Sequence, residues 1–366
     1  MNGPTWSHKV DRELKFSEAI LEGTTELLEK DPSVILMGQG ITDPHGVYGT
    51  TTGLEKTFGS SRVLELPNSQ NTMVGVAVGC AIKGLRPIFV QKRVDYFLLA
   101  LDQLINNGSK WHEMFGGQTP IPAVFRLIMG RGWGQGPQHS QSLQSLFAHI
   151  PGLKVVMPST PSDAKGLLIA AVEDPNPVIF LEHRWLHDTF GPVPEEPYST
   201  PLGRARVLHE GRDVTIASIS HMTLESRKAL KHLQAEGISA EIIDMRSVKP
   251  LDKETLIKSV RKTGRLIVAD PDWKFCSFGS EVIATIAEEA FNDLKAPPVR
   301  ITYPDRHIPM SWTLSNHYYP TAKVIAMEVY KMLGLPSKAQ GLLEKLLEHR
   351  SEGPLDVPDT SFRGPF

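Results

Sequence analysis

Residues 72–90 read TMVGVAVGCAIKGLRPIFV. Up to Gly84 the stretch is rich in small residues and predicts a helix packed closely on a neighbour. Pro87-Ile88-Phe89-Val90 then predicts a short strand, apolar throughout because both of its faces are buried in a parallel sheet. The same alternation extends in both directions. Upstream, Phe16, Ala19, Ile20, Thr24, Leu27 and Leu28 recur at helical spacing, with Ser17 as N-cap and a stop at Asp31-Pro32. Val34-Ile35-Leu36-Met37, closed by Gly38, is a strand. Downstream, residues 96–115 predict a helix, 122–125 and 154–157 strands, 161–173 a helix and 178–181 a strand. Residues 188–203 hold four prolines and two glycines and predict a linker. Beyond it the alternation restarts, with strands at 214–217, 240–244, 266–269 and 299–301 and helices at 223–236, 252–262, 280–293 and 321–333. The prediction is α/β: two doubly wound domains with mainly parallel sheets. Their limits are 1–187 and 204–336, followed by a tail at 337–366.

Length and composition narrow the function. At roughly 150 residues per domain, 366 residues suit two domains. Lys plus Arg is 39 and Asp plus Glu 41, a net charge of −2, which argues against coating nucleic acid. Two cysteines, Cys80 and Cys276, exclude a disulfide scaffold and a Cys-rich metal site. No apolar run reaches the roughly 18 residues of a membrane span, and the polar N-terminal stretch shows no secretory signal. The expectation is a cytoplasmic protein. No P-loop, dinucleotide fingerprint, H-E-x-x-H or G-x-S-x-G is present. His183 and His187 stand at i, i+4 as a metal pair or as surface or interface residues. Asn107-Gly108-Ser109 matches a glycosylation sequon by chance.

Several segments, in order, resemble one family. They include Leu36-Met37-Gly38, Val74-Gly75-Val76-Ala77-Val78-Gly79, Gly84-Leu85-Arg86-Pro87 and Leu101-Asp102-Gln103. They continue with Gln138-His139-Ser140-Gln141-Ser142, Pro151-Gly152-Leu153-Lys154-Val155-Val156, Asp163-Ala164-Lys165-Gly166 and Asp174-Pro175-Asn176-Pro177. Over roughly residues 14–335 the chain resembles the beta subunit of thiamin-diphosphate-dependent 2-oxoacid dehydrogenases (E1), and more broadly transketolase-like enzymes. The resemblance implies a pyrimidine-binding domain followed by a transketolase C-terminal domain. It implies an alpha-type partner, in an alpha2beta2 heterotetramer, holding Mg2+ and the diphosphate through a Gly-Asp-Gly…Asn motif that this chain lacks. A lipoyl-bearing acyltransferase is a further possible partner.

The resemblance also places the chemistry. The family's cofactor-activating glutamate falls on Gln70, in Pro67-Asn68-Ser69-Gln70, and a second acid falls on Gln39. A carboxamide can donate or accept a hydrogen bond but cannot carry the proton. Two readings follow: an enzyme that activates its cofactor without the carboxylate, or a non-catalytic subunit with a vestigial pocket. Asn68 and Tyr96 fall on pyrimidine contacts, and His139 on a histidine near the reactive carbon, or each is merely structural. Lys92 and Arg93 depart from the family's apolar run and Arg131 and Trp133 sit in the glycine-rich loop leading to His139; they read as recognition of an anionic substrate, or as an intersubunit salt bridge or solvated charge. Ala123, Ala171, Val172, Asp174 and Asn176 match a monovalent-cation (K+) site, or only a turn.

Overall fold

The computed structural model describes residues 12–132 and 134–341. Two parallel-rich sheets organise them. The first has seven strands, in the order Ser247–Lys249, Lys154–Val156, Val178–His183, Val124–Met129, Arg86–Gln91, Val34–Gly38, Val63–Glu65. All pair in parallel except Ser247–Lys249, which comes from the second half of the chain and closes one edge antiparallel. The second sheet has the order Val299–Tyr303, Leu266–Trp273, Val214–Ser218, Ala240–Asp244, Arg206–His209, parallel apart from the last.

Side-chain alternation explains why helices cover both faces. On the strand Val34–Gly38, Val34 and Leu36 pack with Phe16, Ile20 and Leu27 of the helix Phe16–Lys30. Ile35 and Met37 point the other way, onto Val74, Ala77 and Val78 of the helix Gln70–Ile82. Both faces are apolar, so the run carries no polar alternation. The second cluster does not stop at the first sheet. It continues through Ala217, Ile219, Ile243, Val268 and Phe278, so one apolar core joins the two halves.

The structure corrects several local expectations. Ser17 does not cap the first helix: Lys15 occupies the N-cap and Ser17 is buried inside. The helix expected over 96–115 is broken into Val94–Phe97, a 3-10 turn at Leu98–Ala100, a π segment at Gln103–Gly108 and Trp111–Met114. The π register shows in the Ser109 amide, which donates to Leu104 O at 2.8 Å. The Pro-rich 188–203 stretch is not wholly irregular, since Phe190–Pro192 pairs antiparallel with Glu13–Lys15. The short strands Val63–Glu65, Arg206–His209 and Ser247–Lys249 carry no periodicity long enough to read. Of the expected tail, 337–341 is helical, with Ala339 buried against the second sheet's core; the remainder lies outside the described residues.

Polar contacts also cross between the halves. Gln144 Nε2 donates to Asp270 Oδ1 at 2.9 Å, and Ser145 Oγ to Asp272 Oδ2 at 2.6 Å. Burial raises both carboxyls above the usual range, and Asp270 raises Asp272 further. A carboxyl whose folded pKa is raised stabilises the protein while protonated, and that stability is lost as pH rises through the raised value. Asp272→Asn removes the penalty. Its melting temperature is expected to fall less than the wild type's between about pH 6 and about pH 9. Parallel melting curves over that range would contradict the placement of the charge.

Candidate active site

Parallel pairing sends the carboxyl ends of the first sheet's strands to one edge, where ligand crevices form. Gln39 follows Val34–Gly38, Asn68 and Gln70 follow Val63–Glu65, and Lys92 to Tyr96 follow Arg86–Gln91. The loop carrying Arg131 and His139 follows Val124–Met129, and Arg184 follows Val178–His183. Of the residues singled out in the sequence, Gln39, Asn68, Lys92 and Tyr96 line one cleft of about 440 Å³. Asp43, Glu65 and Gln91 line it too and were not foreseen.

The cleft presents amides and an aromatic ring. Gln70 is buried in the first turn of its helix, and its Nε2 donates to Asn68 Oδ1 at 2.6 Å. Tyr96 keeps 40% of its surface exposed, enough to offer a ring face. The two acids of the cleft are committed elsewhere. Glu65 accepts from the amides of Gly40 (2.5 Å) and Thr42 (3.2 Å) and from Thr42 Oγ1 (3.1 Å). Asp43 pairs with Lys92 Nζ at 3.0 Å, so Lys92 makes an intrachain ion pair.

His139 stands beside this cleft at the end of the turn Gly136–His139. Its Nδ1 lies 2.7 Å from Asp95 Oδ2, and its ring centroid 5.5 Å from that of Tyr96. Asp95 is buried while the His139 side chain is 28% exposed. A carboxylate on Nδ1 fixes the imidazole's orientation and leaves Nε2 as the working nitrogen. Sequence reasoning missed Asp95. Its signal was an acid placed directly before Tyr96 in an otherwise apolar run. Arg184 supports the same loop from below, donating to His139 O at 2.6 Å and to Gln135 Oε1 at 2.5 Å. Gly130 starts the loop at φ +93°, where an added Cβ would lie 2.3 Å from the His183 ring.

The remaining predicted residues separate. Arg131 is buried, its guanidinium stacked 4.0 Å from the Trp185 ring and 4.5 Å from that of Tyr319. It bridges the two halves and does not line the cleft. Trp133 lies outside the described residues. His183 and His187 form no metal pair: His183 stacks on His221, while His187 Nε2 meets Glu182 at 3.0 Å. Burial lowers the pKa of both His183 and His221, so they pack as neutral rings.

Three of the five expected cation donors have partners within the chain. The Val172 carbonyl accepts from Arg86 Nη1 at 2.5 Å, and that of Ala123 from the Val178 amide at 3.0 Å. The Asp174 carboxylate pairs with the Lys154 ammonium and caps the Asn176 amide at 2.9 Å. Ala171 sits in the last turn of the helix Pro161–Glu173. Cationic side chains of the chain itself hold two of the expected donor residues, and no potassium ion is assigned there.

Comparison with known proteins decides the family. Residues 12–188 match the transketolase pyrimidine-binding domain, and residues 203–325 the transketolase C-terminal domain. The chain belongs to the E1 beta-subunit family of thiamin-diphosphate-dependent 2-oxoacid dehydrogenases. It is 40% identical to the beta subunit of acetoin:2,6-dichlorophenolindophenol oxidoreductase of Cupriavidus necator, over 88% of this chain and 98% of that protein. It is 39% identical to the pyruvate dehydrogenase E1 beta subunit of Acholeplasma laidlawii, over 86% and 96%. A solved structure titled a split-gene transketolase, inactive beta4 tetramer, shares the fold at TM-score 0.71 and 24% identity, over 88% of this chain and 99% of that one.

For an E1 beta-type chain the cleft must fit the cofactor's aminopyrimidine. It does so chemically. A neutral heteroaromatic ring with donor and acceptor edges suits the carboxamides of Gln39, Asn68 and Gln91 and the face of Tyr96, while Gln70 does not line the cleft and bonds Asn68 instead. Among the described residues no group of three or more His, Cys, Asp or Glu is placed to hold a metal ion.

Below the site, the buried Arg126 guanidinium grips Glu182 at 2.7 and 3.1 Å, and His187 bonds the same carboxylate. Burial raises the Glu182 carboxyl, but Arg126 and His187 outweigh it and hold the carboxyl down to about 2. That stability is present above the ordinary glutamate pKa and is lost as pH falls toward about 2. Glu182→Ala leaves Arg126 uncompensated and is expected to cost about 3–5 kcal/mol, read by chemical denaturation near neutral pH. A loss below about 1 kcal/mol, the scale of an exposed pair, would refute it.

Proposed function

We propose that this chain is the beta-type half of a two-component thiamin-diphosphate-dependent enzyme that cleaves or transfers at the carbonyl of a 2-oxo acid or ketose-like donor. One observation carries the reading: the amide-lined cleft at Gln39, Asn68 and Tyr96 stands beside a histidine already oriented by a buried carboxylate. An alpha-type partner, in an alpha2beta2 assembly, holds Mg2+ and the diphosphate end, since this chain carries no Gly-Asp-Gly motif. A lipoyl-bearing acyltransferase is the acceptor if the assembly is a dehydrogenase.

When bound, thiamin diphosphate supplies a nucleophilic carbanion at its thiazolium C2. The chain's residues do the rest. Gln70 takes the place of the family's activating glutamate and holds the pyrimidine edge through a neutral hydrogen bond. It can orient the ring but cannot exchange a proton with it. Tyr96 supplies a flat apolar contact. His139, fixed by Asp95 at Nδ1, holds or moves a proton at Nε2 near the reacting carbonyl.

A second reading, a non-catalytic subunit with a vestigial pocket, is favoured by one contact. The Gln70 amide is already donated to Asn68 within the chain. Exchange of the C2 proton, followed by NMR on the assembly with its alpha partner, separates the two. The enzyme reading predicts cofactor exchange faster than in free solution and a changed rate in Gln70→Glu. Exchange no faster than in solution supports the vestigial pocket, and equal rates in both variants remove Gln70 from the mechanism. His139→Ala is expected to lower turnover by about 10²-fold or more. Asp95→Asn is expected to lower it less and to displace its pH profile. Full turnover in His139→Ala would remove that residue from the chemistry.

A further inference from the structure

The loop that carries His139 is rich in glycine. It leaves the first sheet after Met129 and closes where the Gly130 amide donates to Gln141 O at 3.1 Å. Gly130, Gly132, Gly134 and Gly136 stand at alternate positions within it. Glycine leaves the backbone many conformations, so contacts from outside the loop must select one. Arg184 supplies such contacts from the first half of the chain, through Gln135 and the His139 carbonyl.

Two more come from the second half. The buried Arg131 guanidinium lies between the Trp185 ring at 4.0 Å and the Tyr319 ring at 4.5 Å. A planar guanidinium stacks on aromatic faces in a way that an ammonium cannot. Tyr319 is itself fixed: its ring meets that of Tyr303 edge-on at 5.3 Å and that of Tyr318 edge-on at 5.1 Å. Tyr303 ends the strand Val299–Tyr303 of the second sheet. Met310 sets its Cγ where a Cβ on Gly136 would stand, and Gly136 has φ +62°. Backbone conformation and this close approach therefore both require glycine there. Gly136 opens the short turn that ends in His139.

We propose that Tyr319 and Met310 are positioning residues for His139: through Arg131 and Gly136, the second half of the chain holds the imidazole against Asp95. Neither residue is among those that line the cleft. The second half is thereby part of the working site. This rests on the reading of His139 as the working histidine of the thiamin-dependent site, and adds what keeps it in place. Arg184 grips the same loop, so losing a contact from the second half loosens the loop and does not free it.

The test is proton NMR of the full chain. An Nδ1 proton shared with a buried carboxylate at 2.7 Å gives a far-downfield resonance that exchanges slowly with water. Its loss in His139→Gln assigns it. Tyr319→Leu removes the ring face and is expected to speed that exchange about tenfold. Tyr319→Phe keeps the face and is expected to stay within about twofold of wild type. Met310 is mostly exposed, so Met310→Ala leaves the fold intact and decides the matter if Tyr319→Leu does not fold. It is expected to speed exchange about threefold. Thermal melting of each variant reads the fold in parallel. No such resonance in the wild type, wild-type exchange in Met310→Ala or in a folded Tyr319→Leu, or exchange in Tyr319→Phe as fast as in Tyr319→Leu would each overturn the positioning role. Cofactor C2 exchange in the wild-type assembly reads the thiamin-dependent function separately. Its absence, with the NMR results as expected, removes that function and leaves the positioning of His139 standing.

Discussion

The parallel pairing of the first sheet is the constraint on which the rest depends. Parallel strands all end on the same edge, so five loops far apart in sequence meet there. The 2.7 Å contact between Asp95 and His139 then ties two of those loops, 44 residues apart, into one working unit. Arg184 ties in a third through the His139 carbonyl. The sheet is rigid because both of its faces are packed, and the apolar core continues into the second half of the chain. The positions of Gln39, Gln70, Tyr96 and His139 therefore follow from the packing of Val34–Gly38, Val63–Glu65, Arg86–Gln91 and Val124–Met129.

The cleft at this edge mixes neutral and charged side chains. Its amides are uncharged, Glu65 accepts from amide and hydroxyl donors, and Asp43 is matched by Lys92. Beneath His139, Arg184 donates to the His139 carbonyl and to Gln135, while Asp95 holds the imidazole. A neutral aromatic ring with polar edges suits the carboxamides and the Tyr96 face of the cleft's lining.

Much of this was legible in the sequence, for physical reasons. Buried parallel strands are continuous apolar runs, so Val34–Gly38, Arg86–Gln91 and Val178–His183 announce themselves. The helix Pro161–Glu173 was bounded correctly because Pro161 and the Asp174-Pro175 turn punctuate it. Short edge strands such as Ser247–Lys249 exist only because a distant partner offers hydrogen bonds, and no local pattern records that. Motif order brought out His139 and Tyr96, but Asp95 becomes visible only when the two loops are seen to meet. Arg131 and Lys92 looked alike in sequence. One is sealed between two aromatic rings and the other pairs at the cleft's rim, a difference set by tertiary contacts alone.

The central claim is that this chain supplies one half of a shared thiamin diphosphate site. Isothermal titration of thiamin diphosphate with Mg2+ tests it most directly, first into the chain alone and then into the chain with its alpha-type partner. Saturable binding that requires the partner, and that weakens at least tenfold in Tyr96→Ala, is the predicted result. Equal affinity for the isolated chain, or no binding to the assembly, would contradict it.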